Sequence, residues 1–391
     1  MTDSRTILPA FRRWAASISI SCAVGIGLAA SSAASAADYD PVSCDVRGAY
    51  AGRTLHAPVV VQPPAAVPQT GLDPIVAARL DATLALIRER TGASALTAAV
   101  GVAGQGLWTG DEAGQLPLFW ASVGKTFTAV VVLQLVQENK LSLDQPVSRW
   151  IRNVPNGDVV TVRDLLAHTS GLFSANEDLK ARARPRYRDP AETLAIARRH
   201  GAMFCPGSNW RYSNTGYDLL GEIVRIVDQR PIDEAIRARI VSPLGLQTLR
   251  ALPPGKGAPG VAALSSAREK PIDPSWAGAA GPMVGSAADM VRFWAALLEG
   301  RLVERTLVTD MTATLYPMFD PGQFYGLGMM VFDIPDGARR LQWIGHAGGT
   351  PGASALVVYS PTDNAFVAVA LTGDGSAAAA ANALLKALRD R

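Results

Sequence analysis

From Phe127 to Val136 the chain presents no polar face. Phe127, Val130, Val131, Val132, Leu133, Leu135 and Val136 lie on all sides of a helical wheel, and polar residues take over only from Gln137 to Lys140. A helix that is apolar all round has to be enclosed. The segment that starts near Ser122 therefore predicts a helix through the middle of a core, with other elements packed around it. At 391 residues the chain can supply them, as two domains or one large one.

Those elements are legible at both ends. Residues 73–90 carry Ile75, Val76, Leu80, Leu84, Leu86 and Ile87 at helical spacing, closed by Thr91-Gly92. Residues 95–102 and 106–109 predict a hairpin turning through Gly104 and Gly106. Four short apolar runs, 326–332, 341–344, 353–359 and 365–372, predict strands near the C-terminus. Pro335-Asp336-Gly337, a loop over 345–352 and Pro361-Thr362-Asp363-Asn364 separate them, and a helix over 377–388 follows. Between the two ends the pattern is helical. Thr161 and Asp164 form a capping box before a helix closed by Gly171, and Ser286 and Asp289 repeat it before a run ended by Gly300. Strands at both ends with helices between them imply an α+β fold: an antiparallel sheet built from both chain ends, flanked by helices and carrying a large, mostly helical insertion. The expected division is a sheet region over 75–120 and 318–391 and a helical region over 121–317.

The first 36 residues read as a signal peptide. Arg5, Arg12 and Arg13 precede an apolar stretch over 15–30, and Ala34-Ser35-Ala36 supplies a cleavage site, so a periplasmic or secreted chain starting at Ala37 or Asp38 is expected. Residues 37–74, rich in Pro, Ala and Val, predict an N-terminal extension lying on, or tethered to, the hydrolase domain of 75–391. Cleavage leaves Cys44 and Cys205. An even pair in an oxidising compartment invites a disulfide, with two free thiols as the alternative. Net charge is +3, and the leader takes away three arginines and one aspartate to leave +1. No basic excess recruits nucleic acid or an anionic membrane. No later stretch reaches the roughly 18 uninterrupted apolar residues of a membrane span.

Three short motifs carry possible chemistry. In Ser122-Val123-Gly124-Lys125 a serine opening the buried helix would have Lys125 one turn on and on the same face. Apolar surroundings would lower the amine's pKa and make it a base near neutrality. An N-cap serine beside a surface lysine is the plain alternative. In Tyr212-Ser213-Asn214 an extended backbone points Tyr212 and Asn214 the same way, offering a proton carrier and an amide that can hold a lysine and a carbonyl. A turn with a packed tyrosine fits equally. In His346-Ala347-Gly348, followed by Gly349, the glycines allow close backbone approach, and an amide there could join that of Ser122 in an oxyanion hole, at about 3 kcal/mol per donor. A surface loop is the alternative.

The order of the three is more informative than any one. S-x-x-K, then Y-x-N about 90 residues on, then H-x-G beside a C-terminal strand resembles the serine β-lactamase and penicillin-binding-protein-like family, which includes class C β-lactamases, D,D-peptidases, esterases and D-aminopeptidases. The stretches 141–147 (LSLDQPV), 161–172 (TVRDLLAHTSGL), 243–246 (PLGL) and 345–352 add to the likeness, which spans about 75–390. The resemblance implies acyl transfer, with Ser122 as nucleophile, Lys125 as base and Tyr212 passing a proton to the leaving group. Asn214, His346, Gly348 and Gly349 would contact a small-molecule or peptide substrate, with no cofactor and no metal. Family members that act on penicillins or terminal D-Ala usually carry Lys-Thr-Gly or Lys-Ser-Gly at the third motif. His346 and Ala347 lack that cation and that hydroxyl, which favours ester, amide or peptide substrates over β-lactams. A true β-lactamase or D,D-carboxypeptidase, and a non-catalytic cell-wall peptide binder, are the alternatives.

Other features read as structural. His168, inside 161–172, is expected to support the site. His56 and His200 have no partners at metal-ligand spacing, and no H-E-x-x-H occurs. The run Lys180, Arg182, Arg184, Arg186 and Arg188 reads as a solvated lid. Gly124-Lys125-Thr126 ends like a P-loop, but Phe119 stands where that loop needs glycine, and the absence of G-x-S-x-G excludes an α/β-hydrolase.

Overall fold

The computed structural model describes residues 39–111, 114–336 and 339–389. The expected signal peptide lies outside the described residues. Helix α1 (Pro74–Thr91) starts where the Asp73 carboxylate accepts from the amides of Ile75 and Val76, and stops at Gly92 in a left-handed turn. Strands β1 (Leu96–Val102) and β2 (Gly106–Thr109) form the expected hairpin. Then come β3 (Leu118–Phe119), α2 (Gly124–Gln137), α3 (Val162–Ala167), α4 (Pro190–His200) and α5 (Asn214–Val227). After β4 (Arg250–Ala251) and β5 (Met283–Gly285), α6 (Ala287–Leu298) is capped by Ser286. Strands β6 (Tyr316–Pro317), β7 (Gln323–Tyr325), β8 (Met330–Asp336), β9 (Arg339–Thr350), β10 (Ala353–Ser360) and β11 (Ala365–Thr372) lead to α7 (Ala377–Arg389).

Eight strands make one antiparallel sheet in the order β2-β1-β11-β10-β9-β8-β7-β6. The two chain ends meet as its second and third strands, with Leu96 opposite Leu371 and Val102 opposite Ala365. This is the fold class expected from strands at both termini. One face is covered by α1 and α7, whose Leu80, Leu84, Leu384 and Leu385 pack on Val367 and Val369. The other face meets the helical region through Val357, Phe366 and Ala368. At the centre of that region α2 is buried on all sides from Gly124 to Leu133, and Phe127 stacks on Phe293 of α6 at 3.6 Å between ring centroids.

Four local expectations are corrected. Residues 345–350 are not a loop: β9 runs through them, and the turn is confined to Pro351-Gly352. The glycines are there because a neighbour occupies the space of a side chain. A Cβ on Gly345 would run into the Val357 carbonyl of β10. Helix α3 closes at His168 in a left-handed conformation (φ 62°), not at Gly171. Only 330–332 of the run 326–332 are strand, because 326–329 form the turn between β7 and β8, and β8 continues through Pro335-Asp336. A small sheet, β3-β5-β4, was not anticipated, because strands of two or three residues are too short to show a period.

The extension lies on the domain. Cys44 is disulfide-bonded to Cys205, with 5.7 Å between Cα atoms. Beyond it, Arg47 pairs with the buried Asp164 of the α3 capping box. The amides of Gly48 and Ala51 donate to the carbonyls of Pro206 and Ser208, and Val59 and Val61 enter the core. His56 reaches Asp333 of β8 at 2.9 Å. The segment is thus held along the stretch that leads into Tyr212.

Candidate active site

Between β3 and α2 the backbone makes a sharp turn. Trp120 is fully buried, and its indole donates to the Gly285 carbonyl at 3.1 Å. Ala121 follows at φ 45°, a left-handed conformation that costs a non-glycine residue about 1–3 kcal/mol. A 3₁₀ turn, Ala121–Val123, then carries Ser122 into α2. From 121 to 133 every residue except Ser122 is buried. The one opening in an otherwise enclosed segment is the serine.

Lys125 lies directly beneath it. Its Nζ is 3.3 Å from Ser122 Oγ, and it donates to Asn214 Oδ1 and to the Ala280 carbonyl, each at 2.7 Å. The side chain is completely buried, and Nζ sits 4.8 Å and 5.2 Å from the ring centroids of Tyr212 and Tyr217. Burial pushes its pKa down to about 7, opposed in part by the charge of Asp218.

Tyr212 and Asn214 converge on this amine, as their spacing predicts. The Tyr212 hydroxyl is buried beside Ser122 and has no partner at normal hydrogen-bond length among the described residues. Burial pushes its pKa up, and the contact with Ser122 only partly offsets this, so the phenol is neutral. Asn214 opens α5. Its backbone amide donates to Ser174 Oγ at 3.0 Å, and Nδ2 donates to Asn176 Oδ1 at 3.2 Å, which orients Oδ1 toward the lysine.

Strand β9 supplies the opposite wall. Alternation turns Ile344, His346 and Gly348 toward the helical region and Ala347 and Gly349 away from it. At Gly348 a Cβ would clash with the Trp120 carbonyl and come within 2.9 Å of the Ser122 amide nitrogen. Only glycine lets this strand lie against the turn that carries Ser122. Gly349 pairs with Ser354 on the neighbouring strand.

His346 sits deeper than a substrate contact requires. It is 0% exposed; Nδ1 lies 2.6 Å from the Ala347 carbonyl, and Nε2 lies 3.0 Å from the Tyr325 hydroxyl. A carbonyl only accepts, so Nδ1 carries the proton and Nε2 accepts from Tyr325. Burial first, and then the Lys125 charge, lower its pKa to about 3, and the ring is neutral. His168 is likewise interior, as expected. Its Nδ1 accepts from the Ser213 amide at 3.2 Å, and its ring packs 4.2 Å from that of Tyr212.

Three residues of the site were not anticipated. The Tyr217 hydroxyl donates to the Leu166 carbonyl at 3.0 Å and lies 3.3 Å from that of Tyr325. Together these two phenols wall in the lysine and His346. Asp218 acts on Lys125 through its charge. Tyr217 and Asp218 stand three and four residues after Asn214, the helical spacing that could have signalled them. The basic loop is tied up locally: Arg186 pairs with Glu192, and Arg188 donates to the carbonyls of Ala181 and Arg184. Among the described residues no group of three or more His, Cys, Asp or Glu is arranged to hold a metal, and no helix is long and apolar enough to cross a membrane.

This geometry has counterparts in known proteins. A D-stereospecific amidohydrolase from a Streptomyces species is 30% identical, with 80% of this chain and 97% of that one covered and a TM-score of 0.65. A penicillin-binding protein from Bacillus halodurans is 25% identical over 78% of this chain and 98% of its own, with a TM-score of 0.66. Esterase EstB of Burkholderia gladioli is 34% identical over 149 residues, 32% of this chain and 36% of the esterase. The chain spans about half the length of the curated relatives it matches, or less. The Beta-lactamase family profile matches residues 73–390, and on that match the chain belongs to the beta-lactamase family.

Proposed function

We propose that this chain is a serine hydrolase that cleaves an ester, amide or peptide bond through an acyl-enzyme on Ser122. The observation that carries the reading is the hydrogen bonding of Lys125. A neutral amine has two N–H donors and one lone pair. Asn214 Oδ1 and the Ala280 carbonyl take the two donors at 2.7 Å each, which leaves the lone pair aimed at Ser122 Oγ, 3.3 Å away. The lowered pKa keeps a large fraction of the amine in that form at neutral pH.

In the first half-reaction Ser122 Oγ bonds to the substrate carbonyl carbon as Lys125 takes the hydroxyl proton. The oxyanion develops beside the Ser122 amide, with the backbone of β9 at Gly348 and Gly349 on its other side. Tyr212, a neutral phenol beside Ser122, passes a proton to the leaving group and is replenished from Lys125. The carbon–leaving-group bond breaks, leaving the ester on Ser122. Water then attacks that ester, losing its proton to the same pair and restoring the serine hydroxyl. Asn214 holds the base with Oδ1 and keeps one amide hydrogen for substrate.

The third motif supports ester or amide substrates without a recognised carboxylate over β-lactams. His346 is neutral and enclosed, Ala347 faces away from the site, and neither can hold a substrate carboxylate. We assign His346 to positioning β9. The disulfide between Cys44 and Cys205 supports work outside the cytoplasm, with 39–74 acting as a strap on the hydrolase domain. The test is intact mass after incubation with a fluorophosphonate and, separately, with a penicillin. A fluorophosphonate adduct on Ser122, absent in Ser122→Ala, with penicillin left intact is the expected result. No adduct with either reagent makes the chain a passive binder, and rapid loss of penicillin makes it a β-lactamase.

A further inference from the structure

Helix α5 starts in the catalytic centre and leads out of it along one face. From 214 to 224 only Asn214, Asp218 and Glu222 reach solvent, and all other residues are buried. They are spaced four apart, so they form one stripe, and Asp218 lies one turn, about 5.4 Å, beyond the asparagine that holds Lys125. Its carboxylate is unusually placed. Among the described residues it makes no ion pair, although the site's lysine is close enough to feel its charge. Lys125 does not serve as its partner, because its Nζ is already held between Ser122, Asn214 and Ala280.

The other neighbours do not neutralise it either. The Thr193 hydroxyl of α4 adjoins the carboxylate but also donates to the Pro190 carbonyl at 3.1 Å. Tyr187 faces the same charge from the loop before α4 and is a neutral phenol whose pKa is raised. Arg186 of that loop is bound to Glu192, and Arg188 to backbone carbonyls. On the remaining side stands Gly278, in a left-handed conformation (φ 51°). A Cβ built there would meet one atom within 4 Å, Asp218 Oδ1 at 3.4 Å. The space beside that oxygen is open.

Asp218 is partly buried, has no ion-pair partner among the described residues, keeps a free flank and stands one turn from Asn214; burial raises its pKa to about 7, and a cation in the open space would hold it ionised. We propose that Asp218 forms a substrate subsite for a primary ammonium group. The preferred substrates of the hydrolase are then amine-bearing acyl compounds, such as aminoacyl esters, amides or short peptides. The proposal rests on the hydrolase reading above. The ammonium sits in the space flanked by Gly278, donates to Asp218 and Thr193, and leaves the carbonyl within reach of Ser122. An ion-assisted hydrogen bond in such a place contributes about 1.5–3 kcal/mol, roughly tenfold to a hundredfold in selectivity.

The experiment uses two series of alkyl fluorophosphonates of matched chain length, one ending in a primary ammonium and the other in a methyl group. Labelling rates on Ser122 are read from intact mass. For at least one chain length the ammonium probe should label the wild-type protein tenfold or more faster than its neutral twin. That ratio should fall to near one in Asp218→Asn and recover in Asp218→Glu. Equal labelling by both series in the wild type overturns the subsite, and needs no variant that might misfold. A ratio that persists in Asp218→Asn overturns the assignment to Asp218. If neither series labels Ser122, the hydrolase reading itself has failed, a separate outcome.

Discussion

Lys125 and Ala280, 155 residues apart in sequence, meet at 2.7 Å, with the lysine Nζ donating to the alanine carbonyl oxygen. A backbone carbonyl cannot swing away, so this contact and the one from Asn214 hold the amine against Ser122. The same enclosure removes the amine from water and lowers its pKa to about 7. On the proposed mechanism Lys125 works as a base only when deprotonated. The value of kcat/KM should therefore rise with pH through about 7 with unit slope and level off above it. The Asp218 charge works against the lowering, so Asp218→Asn should move that limb to lower pH, measurable in a full profile with a neutral ester. A limb near 10 would show that the lysine is solvated.

Tyr212→Phe separates catalysis from stability. The hydroxyl is buried with no partner of normal length, so deleting it removes no fold-supporting bond. Thermal unfolding should stay within about 2 °C of wild type, while kcat falls by roughly 10²–10⁴ as the proton carrier is lost. A large loss of Tm together with unchanged kcat would put the tyrosine in the fold and not in the reaction.

Gly348→Ala tests the approach of β9 to the turn that carries Ser122. The added methyl meets the Trp120 carbonyl and the Ser122 amide, both backbone, and neither can yield as a side-chain tip can. Fluorophosphonate labelling of Ser122 should slow by at least about 100-fold if one oxyanion donor is displaced. Gly349→Ala, on the face turned away, should slow it far less.

The Cys44–Cys205 bond closes a span of 161 residues and pins the extension beside the segment leading to Tyr212. Cys44→Ser with Cys205→Ser should lower unfolding free energy by about 2–5 kcal/mol in a denaturant titration. In the wild-type protein unfolded without reductant, iodoacetamide should leave both cysteines unmodified. Alkylation of either would show that the bond does not form.

Much of this was open to reading in the chain. Apolar runs together with the turn residues that bound them marked α1, β1, β2, β11 and α7 to within a residue or two. The apolar wheel of α2 required enclosure, and the order of Ser122, Lys125, Tyr212, Asn214 and His346 pointed to one site. Glycine misled where its role was tertiary. In 345–352 it signalled a loop, whereas Gly345 and Gly348 are glycines because the Val357 carbonyl and the Trp120 turn occupy the space of a side chain.

Local order determined which residues belong to the site, because helical and extended spacing set which side chains share a face. Tertiary structure decided what each of them does. The lysine's pKa, the neutrality of His346, and the enclosure of Tyr217 and Tyr325 all depend on how far water is excluded, and exclusion is set by elements from distant parts of the chain. Asp218 is one carboxylate among many in the sequence. Only packing left it partly buried and without an ion-pair partner among the described residues.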